Sequence, residues 1–99
     1  MIQTADVVHK LQTIYDPEIP VNIYDLGLIY RIEPNEDVVS ITMTLTTATC
    51  PAAAFLPEEV MNAVRTLEGV RDVHVHITYE PKWNNRMMSE EARRRLGFR

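Results

Sequence analysis

The segment VVSITMTLT, at positions 38–46, alternates between apolar and polar side chains from its second residue onward. Because successive side chains of a strand point to opposite faces, this pattern predicts a strand with one face on a core and one polar face. The predicted core-facing residues are Val39, Ile41, Met43 and Leu45. The chain is therefore expected to contain a sheet that is covered on one side only.

Two further segments have the composition of strands. IYDLGLIYRIE, at 23–33, predicts a strand with Leu28, Tyr30 and Ile32 on one face and Ile29, Arg31 and Glu33 on the other. The turn signal PNED separates it from VVSITMTLT, so these two strands are expected to form an antiparallel hairpin. VRDVHVHITYE, at 70–80, predicts a third strand, whose apolar face would carry Val73, Val75, Ile77 and Tyr79.

Three segments have the periodicity of helices. TADVVHKLQTIY, at 4–15, predicts an amphipathic helix with Thr4 or Asp6 near its N-cap, and the prolines of DPEIP end it. A second helix is predicted over 57–67, with Gly69 as its C-terminal stop, or from Pro51 with a kink at Pro57. In SEEARRRLGF, Ser89 is the predicted cap, with glutamates in the first turn and arginines in the last.

The predicted element order is α-β-β-α-β-α. It places the chain in the α/β class, as a two-layer α+β fold with a small mixed three-stranded sheet and helices on one face. Ninety-nine residues accommodate one domain, which is expected to span 1–99. A chain of this length has a small core, so a homodimer is expected.

The charge, the hydropathy and the cysteine content bear on the classes of partner and on the cellular location that are expected. The formal net charge of −4 disfavours non-specific attraction to nucleic acid or to an anionic membrane, so neither is an expected partner. No apolar run approaches the roughly 20 residues that a membrane helix needs, and no signal peptide is recognised. A single cysteine forms no intramolecular disulfide, which fits a cytoplasmic location.

The one cysteine is Cys50, in the segment TLTTATCP. It follows the predicted second strand and precedes Pro51, a residue suited to the first turn of a helix, where unpaired N–H groups favour a thiolate. A thiolate binds soft metals, and hydroxyls such as those of Thr46 and Thr49 would donate hydrogen bonds to it. The alternative is that Cys50 is a buried structural residue and that the threonines are simply good strand residues.

Most of the other candidate residues have two interpretations, one functional and one structural. His74 and His76 project from the same predicted face, a spacing found in metal sites, but without a third ligand the face is a solvated surface or a dimer contact. His9 is expected on the surface of the first helix. Asp16, Glu18 and Asp25 would serve either acid–base chemistry or turns. Trp83 is either a lid over the core or an exposed anchor for a partner. No phosphate-binding glycine loop is present.

Three segments in this order resemble the small iron–sulfur cluster assembly family that includes SufT and the PaaD-type proteins: DPEIPVNIYDLGLIY, MTLTTATCPAA and EPKWNNRMMSEEARRRLGF. The eukaryotic cytosolic iron–sulfur targeting subunit and the N-terminal domain of Mrp-type scaffold ATPases are similar as well. The resemblance extends from Val7 to Phe98. PaaD carries a further cysteine-rich segment and the Mrp proteins an ATPase portion, both absent here, so a standalone SufT-like domain is the best match.

The resemblance implies an α/β domain, often dimeric, that helps to mature or deliver iron–sulfur clusters. The recurrent cysteine of the family falls on Cys50, and its acidic and glycine positions fall on Asp25 and Gly27. Thr46, Thr49 and Pro51 are possible supporting residues. Because a cluster normally needs four ligands, one thiolate would hold it only transiently and together with ligands from elsewhere. Two protomers would provide two thiolates.

The leading hypothesis is therefore an accessory factor that is not an enzyme. It would bind iron–sulfur scaffold or carrier proteins and client apoproteins, with Cys50 as a transient iron or cluster ligand and no tightly bound cofactor. The alternatives are an adaptor that recruits clients without metal chemistry, and a PaaD-like factor that matures a multicomponent oxygenase. A thiol enzyme ranks last, because no histidine lies near Cys50 in sequence.

Overall fold

A computed structural model describes residues 2–16, 21–45 and 55–97. Its three α-helices are α1 (Thr4–Leu11), α2 (Leu56–Arg65) and α3 (Glu90–Arg95), with a short 3-10 helix at Asn85–Met87. Its strands are β1 (Ile29–Asn35), β2 (Val38–Met43) and β3 (Asp72–Ile77). The predicted α+β class and element order are confirmed.

The three strands form one mixed sheet in the order β1-β2-β3. β1 and β2 are antiparallel and joined by a tight turn, which confirms the predicted hairpin. β2 and β3 are parallel, and α2 provides the crossover that such a connection needs. β2 is thus the central strand, with β1 on one side and β3 on the other.

The alternation of β2 is confirmed by burial. Val39, Ile41 and Met43 are fully buried, and Leu45, just beyond the strand, is nearly so. α1 and α2 pack against each other and against β1 and β3, respectively. They cover the buried side with Val7, Leu11, Leu56, Val60 and Val64. The opposite side carries the polar residues of β2 and the two histidines of β3.

β1 is shorter than predicted. It starts at Ile29, and residues 23–27 form a turn whose apolar residues Ile23 and Leu26 are fully buried. Their apolar character indicated burial and not an extended backbone. The predicted faces of β1 are also wrong near its start, because the register shifts between Ile29 and Arg31. Ile29 pairs with Met43 and Ile32 with Ile41, so Tyr30 is the extra residue of a bulge.

The helix boundaries differ from the predictions at several ends. α1 stops at Leu11, and Tyr15, the last residue of the predicted helix, lies beyond it and is 53% exposed. Its N-cap is Gln3, without a side-chain capping bond, and not Thr4 or Asp6. α2 starts at Leu56 and ends at Arg65, with Pro57 unkinked in the first turn, where its missing N–H has no partner to lose. Pro51 lies outside the described residues.

The last two elements behave differently from each other. β3 is an edge strand, so its predicted inner face is buried only at Val73, and Ile77 and the following Tyr79 are 37% and 41% exposed. α3 follows the sequence signals closely: the Ser89 side chain accepts a hydrogen bond from the Ala92 amide, at 3.2 Å. The acidic and arginine residues occupy its first and last turns as predicted.

Within the described residues, no helix has the length and apolarity to cross a membrane.

Candidate functional site

The predicted site residues fall into two groups. Asp25 and Gly27 lie within the described structure, whereas Cys50, Thr46, Thr49 and Pro51 lie outside it. The described chain stops at Leu45 and resumes at Phe55. The surroundings of the site are therefore given by the residues at the end of β2 and by those that pack beside them.

Asp25 lies in the turn at 22–28, which its side chain helps to shape. Its carboxylate oxygen Oδ2 accepts a hydrogen bond from Asn22 Nδ2 at 2.7 Å, and its amide donates to Asn22 Oδ1 at 2.9 Å. The Leu26 amide donates to the Asn22 carbonyl at 2.9 Å. This reciprocal pairing is turn chemistry of the kind that Asp and Asn favour. It fixes the carboxylate of Asp25 beside the groove described below.

Gly27 is required by two features of the same turn. Its φ of +85° lies in the left-handed region, which side chains with a Cβ rarely adopt. A Cβ at this position would also lie 2.3 Å from the carbonyl oxygen of Met87. The turn and the 3-10 helix that ends at Met87 are therefore in direct backbone contact.

The segment 81–89 is held by two hydrogen bonds to the turn and by one to Tyr30 at the start of β1. Trp83 Nε1 donates to the Leu26 carbonyl at 2.8 Å, and the Ser89 amide donates to the Asp25 carbonyl at 2.7 Å. The Tyr30 hydroxyl donates to the Pro81 carbonyl at 2.7 Å. Trp83 packs against the core, so the structure favours the lid over the exposed anchor. The consecutive carbonyls of Asp25 and Leu26 are thus both bonded to the segment 81–89.

The end of β2 meets the same turn. The Thr44 amide donates to the Leu28 carbonyl at 2.8 Å, and Thr44 is fully buried. On its other side, the Thr78 amide donates to the Met43 carbonyl at 2.9 Å. The chain therefore leaves β2, toward Cys50, from a position next to Gly27 and Leu28. We call the turn 22–28, the residues 44–45 and the segment 81–89 the three-segment junction.

A groove opens on the surface of this junction. It has a volume of about 680 Å³ and its lining includes Tyr24, Asp25, Ile29, Tyr30 and Met87. Burial raises the pKa of the Tyr30 phenol above its ordinary value, and a hydrogen bond with the Thr44 side chain opposes that shift. The groove thus combines apolar walls, a carboxylate and a phenol beside the end of β2.

Asn22, Tyr30 and Met87 were not singled out from the sequence. Asn22 precedes Asp25 by three residues, a spacing at which a side chain can bond the backbone of the turn, so a signal was available. The sequence predicts an ordinary strand residue at Tyr30, because a bulge leaves no mark in an alternating pattern. Met87 is close to Gly27 only through the fold.

The remaining candidates are placed apart from the junction. His74 and His76 are exposed on β3, and His9 is exposed on α1 as predicted. Asp16 is buried, and its amide donates to the Val21 carbonyl at 3.3 Å. Glu18 lies outside the described residues. In the described ranges, no group of three or more His, Cys, Asp or Glu side chains could hold a metal ion.

Comparison with known proteins identifies the family. The sequence profile of the iron–sulfur cluster assembly protein family matches residues 4–77. The chain is 54% identical over 94 residues to an Fe–S protein maturation auxiliary factor of Porphyromonas gingivalis, covering 94% of this chain and 90% of that one. It is 39% identical to the Fe–S protein maturation auxiliary factor YitW of Bacillus subtilis, covering 94% and 92% of the two chains.

A more distant relative and a solved structure extend the comparison. An iron–sulfur cluster carrier protein of Synechocystis is 36% identical over 80 residues, which are 81% of this chain but 23% of the carrier. The crystal structure of a domain of unknown function, DUF59, from Bacillus anthracis superposes with a TM-score of 0.90 at 31% identity, covering 96% of this chain and 92% of that one. By sequence and by fold, the chain belongs to the iron–sulfur cluster assembly protein family.

Proposed function

We propose that this chain is an accessory factor that helps to assemble iron–sulfur clusters or to deliver them to apoproteins, with Cys50 as a transient ligand. The relatives named above are maturation auxiliary factors and a cluster carrier. The proposal gives Cys50 the chemical role and gives the three-segment junction the task of holding the cysteine segment and its partners in place.

The observation that carries the proposal is the convergence at the junction. The three sequence segments that resemble the family are far apart in the chain, yet the turn containing Asp25 and Gly27, the end of β2 and the segment 81–89 are in hydrogen-bond contact. The end of β2 is bonded to the turn whose residues line the groove, and we propose that this groove receives part of a partner protein.

The number of thiols sets the mechanism that we propose. A [2Fe–2S] or [4Fe–4S] cluster normally takes four protein ligands, and this chain has one cysteine. The cluster is therefore cargo, held by Cys50 together with ligands from another protein, and passed on when a client offers more thiolates. A homodimer would supply two thiolates. We propose such a dimer, acting in the cytoplasm as one domain and without catalysing a reaction of its own.

The state of the Cys50 thiol is part of the proposal. We expect its pKa to lie below the reference value of about 8.5, because unpaired N–H groups of a following turn would stabilise the thiolate. The rate of alkylation by iodoacetamide, measured against pH, reports this pKa. A thiol that reacts only above the reference value, or only after unfolding, would show that Cys50 is an inert core residue.

The proposal is tested by maturation of a client in cells. A strain that lacks the chain would be complemented with the parent, with Cys50→Ala and with Gly69→Ala, a matched control far from the junction. We expect the activity of a [4Fe–4S] enzyme to recover with the parent and with the control but not with Cys50→Ala. Equal recovery with Cys50→Ala would remove the ligand role.

A second candidate function is favoured by the groove itself. Tyr24 is 37% exposed at its edge, and apolar atoms of Ile29 and Met87 line it, which suits an adaptor that binds clients without metal chemistry. Capture of the same clients by the parent and by Cys50→Ala, together with full maturation by both, would favour this adaptor. Capture by both with maturation by the parent alone would favour the ligand.

A further inference from the structure

The outer edge of β3 is not used by the proposed function. In the strand order β1-β2-β3, no described strand pairs with its far side. His74 and His76 lie opposite Ser40 and Thr42 of β2, on the face turned away from α1 and α2. Both are exposed, and their spacing of two residues directs the two imidazoles to the same side, about 7 Å apart along the strand.

Two imidazoles are half of a metal site. Zinc in structural sites is held by four ligands, and the described part of one chain offers no third group close enough. The nearest carboxylate, Asp72, lies 3.8 Å from His74 Nε2, and it is already bonded to Arg65 at 2.9 Å. Asp72 is therefore engaged with Arg65, and its distance from His74 is too long for a hydrogen bond, so it does not complete the site.

The backbone of β3 can pair with a second copy of itself. The amides of Asp72 and Thr78 donate to carbonyls of Asp37 and Met43, at the side of β2. Because strand groups alternate in direction, the N–H and C=O groups of Val73, Val75 and Ile77 point away from the sheet. The Val73 amide is taken by Asp72 Oδ1 at 2.9 Å, which leaves the amides of Val75 and Ile77 as donors.

These outward groups select one register. If Val75 pairs with the partner's Val75 in an antiparallel arrangement, five of the six residues of β3, from Val73 to Ile77, pair with the same five residues of the partner. Each Val75 amide then donates to the other's carbonyl, and each Ile77 amide to the carbonyl of the partner's Val73. His74 comes opposite the partner's His76 in a pair without backbone hydrogen bonds, where Cα atoms are only about 4.5 Å apart.

We propose that two copies of this chain pair along β3 and that His74 and His76 of both copies bind one zinc ion. Four neutral imidazoles on one face suit Zn²⁺. Ile77, which is 37% exposed, is covered in this pairing by the partner's Val73. A contact of two six-residue strands is smaller than the roughly 1,200–2,000 Å² of a stable interface, so the pairing depends on the metal.

The test is the mass and zinc content of the full chain in the Cys50→Ser background, which removes the thiol as a ligand. Sedimentation velocity with ZnCl₂ is expected to show a dimer with one zinc per two chains. In the presence of chelator a monomer is expected, because this background also lacks the thiolates through which two protomers are proposed to share a cluster. His74→Ala and His76→Ala should each weaken zinc binding at least about tenfold and abolish the dimer. His9→Ala, on an exposed helix face, is the matched control and should change neither.

A further variant separates pairing from simple chelation. Ile77→Pro keeps both imidazoles and replaces a partly exposed side chain and an amide that points away from β2, so it should fold and yet bind zinc more weakly. Zinc bound by monomers, zinc binding equal in the histidine variants and the parent, or no dimer with zinc would each overturn the proposal. Circular dichroism of every variant confirms folding, and the exposed histidines are not needed for the core.

Discussion

The two ends of β2 are held in different ways. At the C-terminal end, the three-segment junction joins residues far apart in sequence through backbone carbonyls, such as the bond from Trp83 to Leu26, which are 57 residues apart. At the N-terminal end, beside the hairpin turn, the Arg71 amide donates to the Asp37 carbonyl at 2.7 Å, and the side-chain contacts are exposed ion pairs: Arg71 with Asp37 at 2.8 Å and Arg65 with Asp72 at 2.9 Å.

The difference has an energetic consequence. Water and salt replace an exposed ion pair at little cost, so such pairs contribute about 0–1 kcal/mol. A carbonyl under a half-buried tryptophan has no such substitute, and leaving it unpaired costs about 1–3 kcal/mol. The side-chain contacts are thus harder for water to replace at the C-terminal end of β2, which leads into the segment with Cys50, and this agrees with the role that we propose for that cysteine.

The largest effect that this comparison predicts is at Gly27. Gly27→Ala would place a Cβ 2.3 Å from the Met87 carbonyl oxygen at a φ of +85°, so we expect a loss of about 3 kcal/mol or more in the free energy of unfolding. Gly69→Ala is the matched control, because Gly69 has a φ of +90° but no atom within 4 Å of such a Cβ. It should lose about 1 kcal/mol. Equal losses in urea unfolding would mean that the close approach at the junction is not a constraint.

Trp83 gives a smaller effect at the same end. Trp83→Phe keeps an aromatic ring on the core but removes the N–H that donates to the Leu26 carbonyl, so we expect a loss of about 1–2 kcal/mol. Chemical denaturation followed by circular dichroism measures it. A loss of only a few tenths of a kcal/mol would place this carbonyl in contact with water and weaken the contrast between the two ends.

Ser89 tests the helix that follows the junction. Ser89→Ala removes the side-chain acceptor of the Ala92 amide, which is expected to cost about 1 kcal/mol. Ser89→Asp restores an acceptor and should recover most of the loss. If both variants are equally unstable in thermal unfolding, the hydroxyl is not what caps α3.

The smallest effect concerns pH at the opposite end. The hydrogen bond from Arg65 holds the pKa of Asp72 below its ordinary value, with help from the Val73 amide. A lowered folded-state pKa contributes stability that is present above the unfolded pKa of about 3.9 and is lost as the pH falls through the folded value. In Asp72→Asn, the free energy of unfolding should therefore fall less steeply than in the parent as the pH decreases below about 4. Arg65→Gln should have the same effect, and an unchanged pH dependence in both variants would contradict the assignment.

The sequence was most informative where a pattern depends on near neighbours. The alternation of β2 predicts its buried face, and the Ser–Glu–Glu start of α3 predicts its cap. The start of β1 was misread, because apolar residues in a buried turn and in a strand look alike, although the glycine of DLG carried the turn signal. The family motif brought Asp25 and Gly27 to the site, but their contacts with the segment 81–89 come from the fold, which no periodicity encodes.

The central claim is that Cys50 holds iron in transit, and anaerobic reconstitution tests it most directly. The parent, Cys50→Ser and Gly69→Ala would be incubated with iron and sulfide, freed of unbound iron, and then mixed with an apo-client enzyme. We predict thiolate–iron absorption on the parent and on Gly69→Ala, followed by activation of the client, with both signals lost in Cys50→Ser. Equal absorption and equal activation by Cys50→Ser would contradict the account.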